Sequence, residues 1–330
     1  MIDLMELKNL VSQKEKTYYT ILAIVASMVW FAIVISIIGI FYAGIVAFFI
    51  WLSNGLLIAY LKSNSVKISE VQLPGLHQVY QDLCQKFEIK EVPDLYVLQS
   101  DGLLNAFATR HSGRDFIVIY SDALDAFGPN SDKIKFLIGH ELGHVRQKHI
   151  VKQLFLFPAL FMPLVGNAYS RARETSCDYH GAFAVDNIDG AIDAMMLFSG
   201  GRDYSKDMSS ESFSDQHYNE RGFFVSWFEL ISGYPTLSQR VSRLLNLKEN
   251  KDYQQPTRHP LAYLFALFST GGRSSGGGNM IITIAIIAIL AGLLMPALAK
   301  ARESANRASA RSTHEFQMSE LEEKDSNSDY

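Results

Sequence analysis

Between Tyr18 and Leu61 the chain carries no Asp, Glu, Lys, Arg or His. As helix, that run extends about 66 Å, roughly twice the ~30 Å hydrocarbon core of a bilayer. One span cannot use that length; two spans joined by a turn near residues 39–44 can. A cleaved signal peptide is disfavoured, because its apolar region would be far shorter and would end at small residues. Lys8, Lys14 and Lys16 precede the run, and Lys62 and Lys67 follow it. The positive-inside rule therefore predicts a hairpin over residues 18–61 with both ends in the cytoplasm, the short tail 1–17 included. The expectation is a multi-pass protein of the cell (inner) membrane whose next domain starts at the cytoplasmic face.

Residues 62–250 read as that domain, mainly helical with a small β-sheet. Leu76, Val79, Tyr80, Leu83 and Phe87 recur at helical spacing, which predicts an amphipathic helix. Residues 94–99 and 116–120 are short β-branched and aromatic runs bounded by turn residues, hence strands. Residues 122–127 start a helix that Gly128-Pro129-Asn130-Ser131 breaks. The chain has 330 residues, 48% of them hydrophobic, and a net charge of −4. That suits one catalytic domain plus membrane segments, and no basic block interleaves with aromatics, so no nucleic-acid partner is expected. Cys84 and Cys177 alone make no disulfide framework and fit a reducing compartment. Nothing in the sequence sets the oligomeric state.

Five residues carry the chemistry: His140-Glu141-Leu142-Gly143-His144. Two histidines four apart on a helix lie on one face, where both imidazoles can bind one zinc ion per chain, and the glutamate between them can act as general base on a water. A catalytic zinc needs a third protein ligand. Downstream, Glu174 and Asp178 stand one helical turn apart, so one can ligate while the other orients a ligating histidine through its second ring nitrogen. Cys177, between them, is a ligand by chemistry but more often a buried small residue. An exposed helix with these carboxylates paired to Arg171 and Arg173 fits the spacing nearly as well.

The His-Glu-Leu-Gly-His motif followed by a Glu-x-x-Cys-Asp helix resembles the HtpX-like membrane zinc metallopeptidases, relatives of the CAAX prenyl-protein endopeptidases. Val92-Pro93-Asp94-Leu95-Tyr96-Val97-Leu98 leading into Asn105-Ala106-Phe107-Ala108-Thr109 is similar to that family's strand and Asn-Ala-Phe-Ala segment. Tyr234-Pro235-Thr236-Leu237-Ser238-Gln239-Arg240-Val241 is similar to its His-Pro…Arg segment. The resemblance runs from about residue 73 to 247. It implies His140, His144 and Glu174 as zinc ligands, Glu141 as general base and Asp178 as the residue behind a ligand. Arg240 is then expected near the metal-bound carboxylate or the oxyanion. It also implies that Asn105, Ala106, Phe107 and Ala108 form a sheet edge on which an extended polypeptide substrate adds a strand. The family's histidine before the proline is Tyr234 here, whose hydroxyl can still donate a hydrogen bond to an oxyanion.

Other segments are less telling. Residues 154–168 are apolar but short and carry Pro158 and Pro163, so a re-entrant or interfacial segment, a greasy wall beside the site and an ordinary buried connection all fit. Residues 199–215, rich in Ser, Gly and Asp, suggest a long surface loop able to act as a lid. His149, His180 and His217 have no partner spacing and are expected to face solvent or cap helices. Residues 251–279 read as a flexible linker, with its Gly- and Ser-rich part at 270–278. Residues 280–299 form a charge-free apolar helix that resembles the N-terminal helix of type IV pilins and pseudopilins and serves as a third membrane anchor. Residues 300–330 are polar and expected to be disordered.

The expected protein is a membrane-anchored zinc metalloendopeptidase acting on polypeptide at the bilayer surface. A CAAX-type prenyl-protein endopeptidase and a non-catalytic membrane scaffold linked to a secretion apparatus are the alternatives.

Overall fold

A computed structural model describes residues 10–102, 104–268 and 302–303. It divides the chain into two compact units, residues 1–273 and 274–330. The expected anchor at 280–299, all of the linker's Gly- and Ser-rich part and nearly all of the polar tail lie outside the described residues.

The charge-free run folds as two helices, α1 (Gln13–Ile35) and α2 (Ile37–Asn64). At 1.5 Å per residue they are about 35 and 42 Å long, each enough to cross a bilayer core. The break comes at Ser36, earlier than the glycines suggested. Ser36 leaves helical geometry (φ −87°, ψ 116°), its N–H goes back to the Ala32 and Ile33 carbonyls, and its hydroxyl accepts from the N–H of Gly39. A side chain competing for nearby backbone groups is a good reason for a helix to stop and restart there. Gly39 still matters, because a Cβ on it would lie 2.9 Å from the Ile33 carbonyl oxygen. Both outer ends of the pair are built into the rest of the unit. Leu22 and Ala26 of α1 pack with Leu156, Ala159, Leu160 and Tyr169, and Ile58 and Leu61 of α2 pack on the sheet.

The sheet has four strands, β1 (Ser65–Lys67), β2 (Asp94–Leu98), β3 (Ala106–His111) and β4 (Arg114–Tyr120), in the order β1-β2-β4-β3. The β2–β4 pair is parallel; β1–β2 and β3–β4 are antiparallel. Period-two alternation divides its side chains. Leu95, Ile117 and Ile119 enter the main core, while Tyr96, Leu98, Phe116 and Val118 meet the end of α2. Because both faces are covered, β2 and β4 read as continuous apolar runs. The expected strands are found to within two residues, and β3 is an edge strand.

On the core face lie α3 (Pro74–Lys86), α4 (Ser121–Phe127) and α5 (Asp132–Arg146). Leu76, Tyr80, Leu83 and Phe87 are buried as the periodicity requires. Gly128 adopts φ +85° to end α4, and Ser131 caps α5 by accepting from the N–H of Ile134. Next come α6 (His149–Leu156), a 3-10 turn (Phe157–Ala159) and α7 (Val165–Ala184). The apolar segment 154–168 thus resolves into the end of α6, a turn and the start of α7, packed on α1 while Leu154, Phe155 and Phe161 stay exposed.

Helices α5 and α7 pack closely along a long seam, and small residues make it so. A Cβ on Gly139 would lie 2.4 Å from the Ala184 Cβ, and one on Gly181 would lie 2.7 Å from the Phe136 ring. Side chains near both crossing points are therefore drawn into the seam.

There follow α8 (Ile188–Tyr204), α9 (Ser210–Asn219), α10 (Phe223–Ile231), α11 (Leu237–Lys248) and α12 (Pro260–Phe268). Two expectations need correction. Residues 199–215 are not a long loop: α8 runs on to Tyr204, interrupted where Gly201 takes φ +74°, and α9 follows, capped by Ser209 and anchored by Phe213, Ser214 and His217. Polar composition hid a helix whose buried stripe is itself largely polar. Likewise residues 251–279 are not linker throughout, since α12 packs Ala262 and Ala266 against Leu230 of α10.

Candidate metal centre and active site

Residues α5 and α7 contribute meet inside the seam. On α5, His140 is buried and His144 is half-buried, one turn further on; on α7, Glu174 is 1% exposed and Asp178 is buried. His140 Nε2 lies 3.3 Å and His144 Nε2 3.7 Å from the same oxygen, Oε2 of Glu174. That oxygen is buried and has no hydrogen-bond partner. Two ligands of a tetrahedral ion, each about 2.1 Å from it, stand about 3.4 Å apart. The spacing, the N, N, O donor set and the orphaned oxygen all fit a metal ion held by His140, His144 and Glu174.

The remaining nitrogen of each imidazole is already engaged. His140 Nδ1 lies 3.0 Å from Asp178 Oδ1. Asp178 in turn accepts from Arg240 Nε at 2.8 Å and from its terminal nitrogen at 2.5 Å. Arg240 thus reaches the site from behind Asp178, through a two-pronged pair of the kind guanidinium and carboxylate geometry favours. Its charge is also felt at Glu174, but none of its hydrogen bonds goes there. His144 Nδ1 lies 3.0 Å from His149 Nδ1.

Burial works against every charge here, and partners reverse it. Burial alone would lower His140; Asp178 and Glu174 beside it push it up to about 9. Burial would raise Glu174, but His144, His140 and Arg173 hold it well below the usual carboxylate range. Asp178 is likewise held low against burial by Arg240 and His140.

His140, His144 and Cys177 also offer one ligand atom each within 4.8 Å of one another. Cys177 already has a neighbour of its own. Its sulfur already faces His149 Nδ1 at 3.6 Å, and burial, with Glu174 and Glu15 beside it, pushes its thiol well above the ordinary range. A metal ligand must be the thiolate.

The other expected residues are distributed around this centre. Glu141 is buried beside His140 and makes no hydrogen bond or ion pair among the described residues, which leaves its carboxylate uncommitted. Tyr234 is half-buried in the turn before α11, within electrostatic reach of both Arg173 and Arg240. Arg171 holds that turn by donating to the Leu230 and Ser232 carbonyls at 3.0 and 2.6 Å. Ala106, Phe107 and Ala108 lie on β3, next to α5, with Asn105 just before it. The Asn105 carbonyl accepts from the N–H of Tyr120, and the Phe107 and Tyr120 rings meet at a tilt on the far face.

Sequence reasoning missed several partners. His149, His180 and His217 do not face solvent; all three are buried. His149 joins His144 to Glu15, with Nε2 3.0 Å from Glu15 Oε1. His180 stacks on Phe87 and its Nδ1 lies 2.7 Å from the Ser176 carbonyl, and burial pushes it down to about 4. His217 meets the Tyr253 hydroxyl at 2.6 Å. Arg173, which the exposed-helix alternative would put at the surface, is half-buried and donates to Glu174 at 3.3 Å and to Gln153 at 2.8 Å. A cluster of charged and imidazole side chains at helical spacing in α7 was the available signal.

No match was found among curated proteins. The model of Peptidase family M48 matches residues 71–161, from just before α3 through the segment that follows α6, and so contains His140, Glu141 and His144 but not Glu174, Asp178, Tyr234 or Arg240. Over that segment the chain is similar to the peptidases of family M48, in line with the resemblance of its motifs.

Proposed function

We propose that this protein is a zinc-dependent endopeptidase anchored in the cell (inner) membrane by α1 and α2, with its catalytic part on the cytoplasmic side. The observation that carries the reading is the convergence of two imidazole Nε2 atoms on one orphaned carboxylate oxygen, beside an uncommitted glutamate. His140, His144 and Glu174 would hold the ion. Zinc, when bound, would polarise the scissile carbonyl and make a water acidic near neutral pH. Glu141 would accept the water's proton and deliver it to the leaving amine. Tyr234 would donate to the developing oxyanion, and Arg240 would keep Asp178 ionised against His140. The unpaired edge of β3, with Asn105 at its start, suits an extended chain that adds as a strand.

The membrane reading has its own support. Both ends of the α1–α2 pair are anchored in the same unit, as a hairpin requires, and most large side chains between them are exposed apolar ones. Phe224 and Phe228 on α10 and Leu261, Leu264 and Phe268 on α12 are exposed apolar side chains as well. The substrates would then be membrane or membrane-proximal polypeptides.

Casein hydrolysis by the detergent-purified protein, with and without chelator, tests the activity. Glu141→Gln is expected to keep its metal and lose cleavage by several orders of magnitude. Undiminished proteolysis in that variant would sink the assignment, and a zinc-loaded but inert wild type would favour the scaffold reading.

A further inference from the structure

The two imidazoles of the centre are supported differently. His140 meets a carboxylate directly, through Nδ1 to Asp178. His144 meets another imidazole, His149, which in turn meets Glu15 near the start of α1. Glu15 and His149 are 134 residues apart in sequence and both nearly inaccessible.

We propose that His149 and Glu15 are positioning residues for His144, a hydrogen-bonded relay by which the first turn of the membrane helix α1 sets the orientation of a metal ligand. This rests on the metal-site reading above. The proton order follows from geometry. His144 turns Nε2 towards Glu174, so as a neutral ligand it carries its proton on Nδ1 and donates it to His149 Nδ1. His149 then carries its own proton on Nε2 and donates to Glu15 Oε1. Each donor meets an acceptor, and the Cys177 thiol, 3.6 Å from His149 Nδ1, adds a weak donor to the same acceptor. Reversing the order would place a proton on His144 Nε2, where the metal is to bind. Partners of this kind fix ring orientation and raise ligand basicity.

Glu15 is held in place by the seam itself. Ser12 caps α1 by accepting from the N–H of Glu15, its own N–H donates to Ser176 Oγ at 2.9 Å, and its hydroxyl donates to the Ala172 carbonyl. Ala172 and Ser176 flank Glu174 on α7. The first turn of α1 is thus fastened to the helix that supplies the third ligand, and the relay returns from it to the second. Metal affinity would therefore depend on how α1 is docked.

The test measures zinc affinity of the full-length protein in detergent by competition with a fluorescent chelator. His149→Phe keeps a ring in place and cuts the relay; it should weaken zinc binding about 10- to 100-fold. His149→Gln, whose amide can accept from His144 and donate to Glu15, should recover much of that loss. Glu15→Gln should weaken binding in the wild-type background and add nothing to His149→Phe, because residues acting in one chain are not additive. Equal loss from Glu15→Gln in both backgrounds, or wild-type affinity in His149→Phe, would overturn the relay. If His149→Phe does not fold, Glu15→Gln decides alone, and unchanged affinity there overturns it. Failure of the underlying reading looks different: equal zinc in wild type and His144→Ala would remove the metal site and the relay with it.

Discussion

The α5–α7 seam and the α1–α2 pair invert each other's chemistry. The seam buries His140, Glu141, Glu174, Asp178 and His180, while the helix pair leaves Phe31, Ile37, Ile38 and Phe41 more than 60% exposed. In water both arrangements would be costly, one for desolvated charge and the other for an apolar surface far larger than soluble monomers tolerate. The seam resolves its cost internally, with a partner behind each imidazole and an ion expected in front. The helix pair has no internal solution, and a bilayer is the solvent in which it makes sense. Inside one unit, buried charge marks the chemistry and exposed grease marks the environment.

The comparison can be broken first at Arg240. Replacing it by Leu strands Asp178 as a buried, half-paired carboxylate, and removing one partner of a buried ion pair typically costs about 3–5 kcal/mol. Denaturant unfolding of Arg240→Leu should show that loss; a change under 1 kcal/mol would mean that the pair is not structural. At the other pole, Met28→Asp on the exposed side of α1 changes no residue of the buried core and would scarcely matter in water. At the centre of a membrane helix it costs about 3 kcal/mol of insertion free energy. A reduced membrane-integrated fraction after alkaline extraction is expected, and unchanged integration would argue that Met28 does not sit in the hydrocarbon.

The smallest effect per step is the pH dependence carried by His180. Burial holds its folded value at about 4, against about 6.5 in the unfolded chain. Below pH 6.5 the unfolded chain takes up a proton that the folded chain refuses. Stability from this group is therefore complete above 6.5 and is lost as pH falls towards 4, by at most about 1.4 kcal/mol per pH unit. His180→Leu should flatten that limb, and an identical acid profile in wild type and variant would show that His180 does not contribute it.

How much of this could be read from the sequence depended on whether the signal was local. The α3 periodicity, the β2 and β4 runs, the turn at Gly128 and the capped metal helix all lie within a few residues of their cause. The charge-free run announced two helices, and the error was confined to where they part: glycines at 39 and 44 drew attention from Ser36, whose hydroxyl makes the break. His149 and His180 were misjudged because a lone histidine shows no sign of burial until its partners, Glu15 and Phe87, arrive from elsewhere in the chain. Arg173 entered only the exposed-helix alternative, because a charge beside carboxylates reads as surface. Residues 199–215 misled by composition, since α9 buries Ser214 and His217 rather than an apolar stripe.

The central claim is that Glu174 completes the metal site and that Cys177 and Asp178 do not. Zinc bound per chain in the purified Glu174→Ala, Cys177→Ala and Asp178→Ala variants, measured at one fixed free-zinc level, tests it most directly. The account predicts essentially no zinc in Glu174→Ala, wild-type zinc in Cys177→Ala, and zinc in Asp178→Ala that is retained with affinity weakened about 10- to 100-fold. One zinc per chain in Glu174→Ala, together with its loss in Cys177→Ala, would contradict the account and assign the third position to the thiolate.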